Sequence, residues 1–249
     1  VVISGQVKRA TCLDYTPVPG LRQLGDQEGP MIAMARPVTK MAESVGSPEA
    51  LADQLPRAFA LATHGRPGPV WLDIPLDVQS AECAPLPAAP APATPLHPDL
   101  STHCAALATR LRAAHRPLIL AGTGVRLSGA GKALLDFAEA HGIPVATAWT
   151  HDLIASDHPL FAGRPGTIGT RAGNFCTQNA DCVIVIGSRL NIRQVSYNWD
   201  SFAKNAFIAQ VDVDPAEFAK PFVQPDLRIT SDARLFLDAL LGACRAGLP

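Results

Sequence analysis

The residues able to do chemistry fall at the ends of short apolar runs. Asp73 and Asp77 lie in GRPGPVWLDIPLDVQ (65–79), a stretch with three prolines and two glycines. A carboxylate pair can act as general acid and base. The local physics favours a plainer role: Pro67 and Pro69 set the entry of a strand over Val70–Ile74, and Pro75 ends its ladder for want of an N–H. On that reading the two aspartates cap or order the strand's exit.

Three further runs end in ligand-competent turns: Ala121-Gly122-Thr123-Gly124, Ile186-Gly187-Ser188-Arg189, and Asp212-Val213-Asp214 before Pro215. Strand-to-helix turns expose backbone N–H groups, and helix N-termini attract anions. The Gly-Thr-Gly turn lacks the full GxGxxG pattern and serves equally as a tight turn. Asp212 and Asp214 are placed to accept ribose or ribityl hydroxyls, although Asp214 followed by proline is also a helix N-cap signal. The loop Gly163-Arg164-Pro165-Gly166-Thr167-Ile168-Gly169-Thr170 carries the glycines, hydroxyls and arginine that a diphosphate cradle requires. Arg189 and Arg193, four apart, suit a diphosphate or a solvated surface. The seven histidines form no triad and no metal spacing, and no metal-ligand set is expected.

The elements that must hold these turns are legible in the apolar patterning. Leu51, Leu55, Ala58, Phe59 and Ala62 predict one face of a helix over Pro48–Thr63. Asp99 or Ser101 opens a helix to about Ala114, with Leu100, Ala105, Leu107, Ala108 and Leu111 inward. Helices follow over Gly131–His141 and Ala233–Ala246, with strands at Pro117–Gly122, Pro144–Trp149, Cys182–Gly187 and Ala206–Asp214. Apolar runs of five or six separated by helical periods predict a doubly wound, Rossmann-like α/β domain with a parallel sheet. Before it stand only a helix and a strand, the C-terminal part of another α/β domain. The border is APLPAAPAPATPLHP (84–98), whose six prolines favour an extended connector between residues 1–83 and 99–249.

With 249 residues, 47% hydrophobic, the chain can bury a real core. A net charge of -1 with dispersed basic residues argues against a nucleic-acid partner. The longest apolar run is far short of a bilayer span, so no membrane partner and a cytoplasmic location are expected. The six cysteines show no CxxC spacing and read as free core thiols. The abrupt Val1-Val2-Ile3 opening reads as a piece of something longer.

In order along the chain, SGQVKR (4–9), GDQE (25–28), ARPVTK (35–40), ATHGRPGPVWLDIPLDVQ (62–79), LILAGTGV (118–125), GIPVATAW (142–149), GRPGTIG (163–169), VIGSRLNIR (185–193) and VDVDPAEFAKP (211–221) stand out. Together they resemble the thiamine-diphosphate-dependent enzymes, most closely the acetolactate synthase catalytic subunits. The resemblance implies three α/β domains: the first binds the aminopyrimidine, the middle one FAD in several members, the last diphosphate and magnesium. It places residues 1–83 at the end of the first domain and 99–249 over the middle one. The family's catalytic glutamate would then precede Val1, and its GDG…N magnesium motif would follow Pro249.

The resemblance also implies site residues. Gln6 matches the glutamine of the family's TGQV, which borders the active site. Gln27 and Glu28 match FQE, and Arg36 matches an arginine that contacts FAD. Gly122, Thr123 and Gly124 match the GGG approaching the flavin, with Thr147 to Trp149 lying along it. Gly166 and Thr167 match the HGT turn, and Arg189 and Arg193 the two arginines of GVRFDDR. Asp212 and Asp232 match acidic strand ends around adenosine and ribityl groups. Asp26 replaces the phenylalanine of FQE, Trp149 a methionine, and Arg164-Pro165 a Met-His, departures that touch the substrate pocket and the flavin strip. The implied whole enzyme condenses or cleaves 2-keto acids such as pyruvate as a homodimer or tetramer, with a possible regulatory subunit. A nucleotide-binding regulatory module without chemistry, or a 2-keto acid decarboxylase or oxidase, would share the same pattern.

Overall fold

The computed structural model describes residues 1–85, 87, 97–149 and 152–244; most of the proline-rich connector lies outside them. The chain divides into two compact units, Val1–Thr94 and Pro95–Pro249.

The first unit holds β1 (Val2–Gln6), α1 (Met31–Ala35), β2 (Met41–Ser44), α2 (Pro48–Thr63), β3 (Val70–Pro75) and α3 (Leu76–Gln79). Its three strands are parallel in the order β1-β3-β2, so β3 is central. The unit is therefore more than the expected helix and strand: β2 was hidden in a four-residue MAES run too short to show a period. Helix α2 starts where Ser47 accepts the Ala50 N–H, with Pro48 in its first turn. It packs Ala58 with Leu51, Leu55 and Ala62 against Val70 and Leu72 of β3. Phe59 departs from the predicted face and is 51% exposed; at 100° per residue it sits about 80° from the stripe centred on Leu51.

Pro75 does not end the whole ladder. It stands opposite Gln6 in the β1 pairing. The Asp73 carbonyl accepts Val45 N–H on the β2 side, and strand alternation turns Pro75 to that same side, where β2 has finished. The missing N–H therefore stops only the β2 ladder.

The second unit runs α4 (Leu100–Ala113), β4 (Pro117–Ala121), α5 (Thr123–Leu127), α6 (Gly131–His141), β5 (Val145–Thr147), β6 (Phe161–Gly163), α7 (Arg171–Asn179), β7 (Cys182–Ile186), α8 (Ile192–Val195), β8 (Phe207–Asp212), β9 (Leu227–Thr230) and α9 (Ala233–Ala243). Six parallel strands lie in the order β6-β5-β4-β7-β8-β9. Both faces are covered, and alternation along each strand divides the core. Ile119, Ile184 and Ile186 join Leu107, Phe137 and Phe236 on one face; Leu118, Leu120, Val183 and Val185 join Val195 and Phe202 on the other. Phe137 and Phe236 are fully buried, each worth about 1.5–3 kcal/mol over exposure.

On α4 the inward residue is Cys104, not Ala105, because it continues the stripe from Leu100 to Leu107, Ala108 and Leu111. Asp99 occupies the N-cap position without a side-chain cap bond. Helix α9 ends at Ala243 with Cys244 as its C-cap; Arg245 and Ala246 of the expected helix fall outside the described residues. The cysteines are free as expected, but not all are core thiols: Cys83 is exposed, and Cys176 is half-buried at the margin of the core face that holds Val183 and Val185. Among the described residues no helix is long and apolar enough to cross a membrane.

Candidate functional site

After β4 the second unit's chain steps outward to β5 and β6, then crosses back to β7 on β4's other side. The strand order thus reverses between β4 and β7, and in open parallel sheets ligands bind beyond the carboxyl ends of the strands at such a point. The turns on either side are Gly122-Thr123-Gly124 and Gly187-Ser188-Arg189. They are pressed together. Gly122 N–H donates to Ile186 O and Gly124 N–H to Gly187 O, each at 2.9 Å.

The neighbouring loops converge on Arg193. Its guanidinium lies over the Trp149 ring at 6.0 Å, joining the loop after β7 to the loop after β5 across the end of β4. Its carbonyl accepts both the backbone N–H and the hydroxyl of Thr167, at 2.8 and 3.2 Å. Trp149 is 49% exposed and Arg189 points outward. Asp212 closes β8 opposite Thr230. Its carboxylate accepts Asp214 N–H, and Asp214 in turn caps the short 3-10 turn Pro215–Ala219 through Ala216 N–H, so the capping reading of Asp214 holds. Asp232 accepts Arg234 and Leu235 N–H at the start of α9.

In the loop after β6 several donors of the expected diphosphate cradle are bonded within the protein, while Arg164 Nε is buried without a hydrogen-bond partner among the described residues. Gly166 N–H goes to Asn174 Oδ1, Gly169 N–H to Gly166 O and Thr170 N–H to Arg164 O. The Arg164 guanidinium stacks on Phe161 at 5.0 Å. Glycines make room for the loop's backbone: a Cβ on Gly169 would fall 2.4 Å from Arg164 O, and one on Gly173 of α7 2.5 Å from Arg164 C. Thr167 braces Arg193 by its two bonds, and Gly166 leaves room for the Arg193 carbonyl, which would lie 2.7 Å from a Cβ there.

Sequence reasoning missed a buried polar group beneath these turns. Ser188 Oγ donates to Gln194 Oε1 at 2.9 Å, and Gln210 Nε2 donates to Ser188 O at 3.3 Å. Gln194 Nε2 and Thr147 Oγ1 are buried without a hydrogen-bond partner among the described residues. Such orphans call for a partner at a ligand site. The available signal was Gln210, a long polar side chain inside the apolar run Phe207–Asp212.

In the first unit, Gln6 ends β1 and is 7% exposed. Its Nε2 donates to Asp73 Oδ2 at 3.0 Å and Gly29 O at 2.9 Å, and its Oε1 accepts Val7 N–H at 3.0 Å. Asp73 Oδ1 accepts Ser4 Oγ at 2.6 Å. Asp77 instead ties the strand exit to Arg9, accepting its backbone N–H and its Nε at 2.8 Å; those two bonds hold the carboxyl below its ordinary pKa. Glu28 gathers the backbone N–H groups of Leu13, Leu24 and Gly25, while Gln27 is exposed. Tyr15 meets Ser44 Oγ at 2.7 Å, and burial raises its hydroxyl's pKa. Arg36 is exposed on the 3-10 turn Arg36–Val38. Among the described residues no group of three or more His, Cys, Asp and Glu side chains is arranged to hold a metal.

Known proteins resemble both units. Residues 104–240 match the family described as "Thiamine pyrophosphate enzyme, central domain". The probable acetolactate synthase large subunit of Methanocaldococcus jannaschii is 38% identical over 227 residues, covering 87% of this chain and 38% of that protein. The acetolactate synthase large subunit of Corynebacterium glutamicum is 36% identical over 88% of this chain and 36% of its own length. A glyoxylate carboligase of Escherichia coli O157:H7 is 35% identical over 84% of this chain and 35% of its own length. The chain thus spans little more than a third of these relatives. The predicted parallel α/β architecture is the observed one, and the chain belongs to the thiamine pyrophosphate enzyme family, whose central domain it carries.

Proposed function

We propose that the chain is part of a thiamine-diphosphate-dependent carboligase or lyase of acetolactate synthase type, acting on 2-keto acids such as pyruvate. The observation that carries this reading is the 35–38% identity to carboligating relatives over both units. Thiamine diphosphate, held with Mg2+, supplies the carbanion chemistry, and protein groups bind and orient it. Residues 1–83 are read as the end of the pyrimidine-binding domain, with Gln6 bordering the reaction space.

In the second unit the residues fit a dinucleotide, FAD in a structural role. Thr147 Oγ1 and Gln194 Nε2 are buried polar atoms awaiting partners at the strand ends. Gly122, Thr123 and Gly124 form the turn beside the ligand, its two glycines closing on the Gly187 turn. Trp149 offers a flat ring, Arg189 and Arg193 positive charge, and Asp212 and Asp232 acceptors for hydroxyls. Gly166 and Thr167 act through Arg193. The name "large subunit" carried by relatives supports a smaller regulatory partner. A homodimer or tetramer is proposed for the whole enzyme, in the cytoplasm.

The test is pyruvate consumption by the complete gene product with thiamine diphosphate and Mg2+, with glyoxylate as competing substrate. Turnover of neither acid sinks the reading. A visible band near about 450 nm, the flavin's own absorption, in the purified protein supports FAD; its absence in protein refolded with excess FAD counts against it.

A further inference from the structure

The first unit contains a buried carboxylate whose only assigned work is structural. Asp73 is 1% exposed in the central strand. Among the described residues no Lys, Arg or His forms an ion pair with it. Burying a carboxylate is costly unless hydrogen bonds compensate. Here Trp71 Nε1 donates to Ser4 Oγ at 2.8 Å, Ser4 Oγ to Asp73 Oδ1 at 2.6 Å, and Gln6 Nε2 to Asp73 Oδ2 at 3.0 Å.

The consequence falls on Gln6. A carboxamide has two N–H donors and a carbonyl acceptor. Both Gln6 protons are taken, one by Asp73 and one by Gly29 O. Flipping the amide would turn its oxygen against two acceptor oxygens, Asp73 Oδ2 and Gly29 O, so these two contacts fix which end is which. What remains is the second lone pair of Oε1, whose first lone pair accepts Val7 N–H. Gln6 stands at the carboxyl end of β1, beside the end of β3, where parallel sheets meet their ligands.

We propose that Asp73 is a positioning residue that locks Gln6 as an acceptor-only contact, so that Gln6 selects an N–H or O–H group of the bound molecule and rejects a carboxylate or keto oxygen. The inference rests on the reading of Gln6 as a border of the reaction space. Its first half, the locked amide, is independent of that reading.

Selective 15N-glutamine labelling of the full-length, ligand-free enzyme tests the lock. The two Gln6 side-chain protons are expected to be separately resolved and at least tenfold slower to exchange than those of exposed Gln27. Equal exchange overturns the proposal without any variant, whether or not Asp73→Asn folds. In Asp73→Asn the protection is expected to vanish. Turnover with pyruvate, thiamine diphosphate and Mg2+ then tests the role. Asp73→Asn and Gln6→Ala should each lower kcat/KM about tenfold, and the double variant should be no worse than Gln6→Ala alone. Additive losses would mean that Asp73 acts on something other than Gln6, and overturn the proposal. A protected amide combined with unchanged kcat and KM in Gln6→Ala would locate the failure in the placement of Gln6, and overturn the selection with it.

Discussion

Gly124 and Gly187 face each other at the point where the strand order reverses: a Cβ on either would lie 2.6 Å from the other's Cα, closer than atoms can pack. Gly187 also has φ +57, a conformation that disfavours a side chain. Gly124→Ala must separate two backbone turns and is expected to cost about 1–3 kcal/mol, as overpacked sites do. Gly187→Ala adds backbone strain and should cost more. Gly131→Ala is the control, since nothing lies within 4 Å of its added methyl. It should be neutral or stabilising by up to about 1 kcal/mol. Urea unfolding midpoints of the three variants give the ranking; equal values would refute the contact.

Thr167 holds Arg193 by two bonds to one carbonyl, and Arg193 in turn covers Trp149. Thr167→Val removes the hydroxyl bond but keeps the backbone one, and should destabilise by about 0.5–1.5 kcal/mol. Arg193→Ala should leave Trp149 more exposed. Acrylamide quenching of fluorescence should rise in Arg193→Ala and be absent from that increment when Trp149→Phe is added. An unchanged quenching constant would count against the bridge.

Much of the second unit was readable because parallel strands buried on both faces leave continuous apolar runs, as at Cys182–Ile186. The short strands were not: Phe161–Gly163 has three residues, and Leu227–Thr230 sits at the sheet edge with Arg228 exposed, so neither writes a long pattern. The site divided in the same way. Glycine turns announced Gly122 and Gly187 by composition, yet their packing on one another depends on β4 and β7 being neighbours, a fact of topology. The same holds for Gln6 and Asp73, separated by 67 residues and joined only by the β1–β3 register. Loop 163–170 carried the composition of a cradle, but contacts with Asn174 and Arg193, outside the loop, decide where donors of Gly166 and Thr167 go.

The thiols should separate by reactivity. Burial pushes Cys104 and Cys182 up to about 11, and Cys12 and Cys244 are raised for the same leading reason. Thiolate is the reacting form, so these four should resist modification in the folded protein. Cys83 is exposed and Cys176 half-buried. Titration with a chromogenic disulfide at neutral pH should give one fast thiol, lost in Cys83→Ser, a slower second lost in Cys176→Ser, and the rest only after unfolding. Fast loss of more than two would contradict the burial pattern.

Acid should unfold the chain through a few identifiable groups. Burial alone would raise Glu28, but the N–H groups of Leu24, Leu13 and Gly25 and the Cys12 thiol outweigh it, so its pKa is lowered. Asp181 follows the same logic: burial raises it, while N–H groups of His115 and Arg116, at 2.8 and 2.9 Å, prevail. The unfolded references are about 4.3 for Glu and 3.9 for Asp. A depressed carboxylate contributes stability that is complete above the unfolded value and lost as pH falls through the folded one. His141, lowered by burial, adds a loss nearer neutrality, below its unfolded value of about 6.5, because the fold favours the neutral ring. Urea midpoints should therefore fall in two stages on acidification. Glu28→Gln should lower the neutral-pH plateau, flatten the lower stage and leave the His141 stage in place. If the variant keeps the wild-type slope below about pH 5, Glu28 is not one of the groups that hold the 12–28 loop.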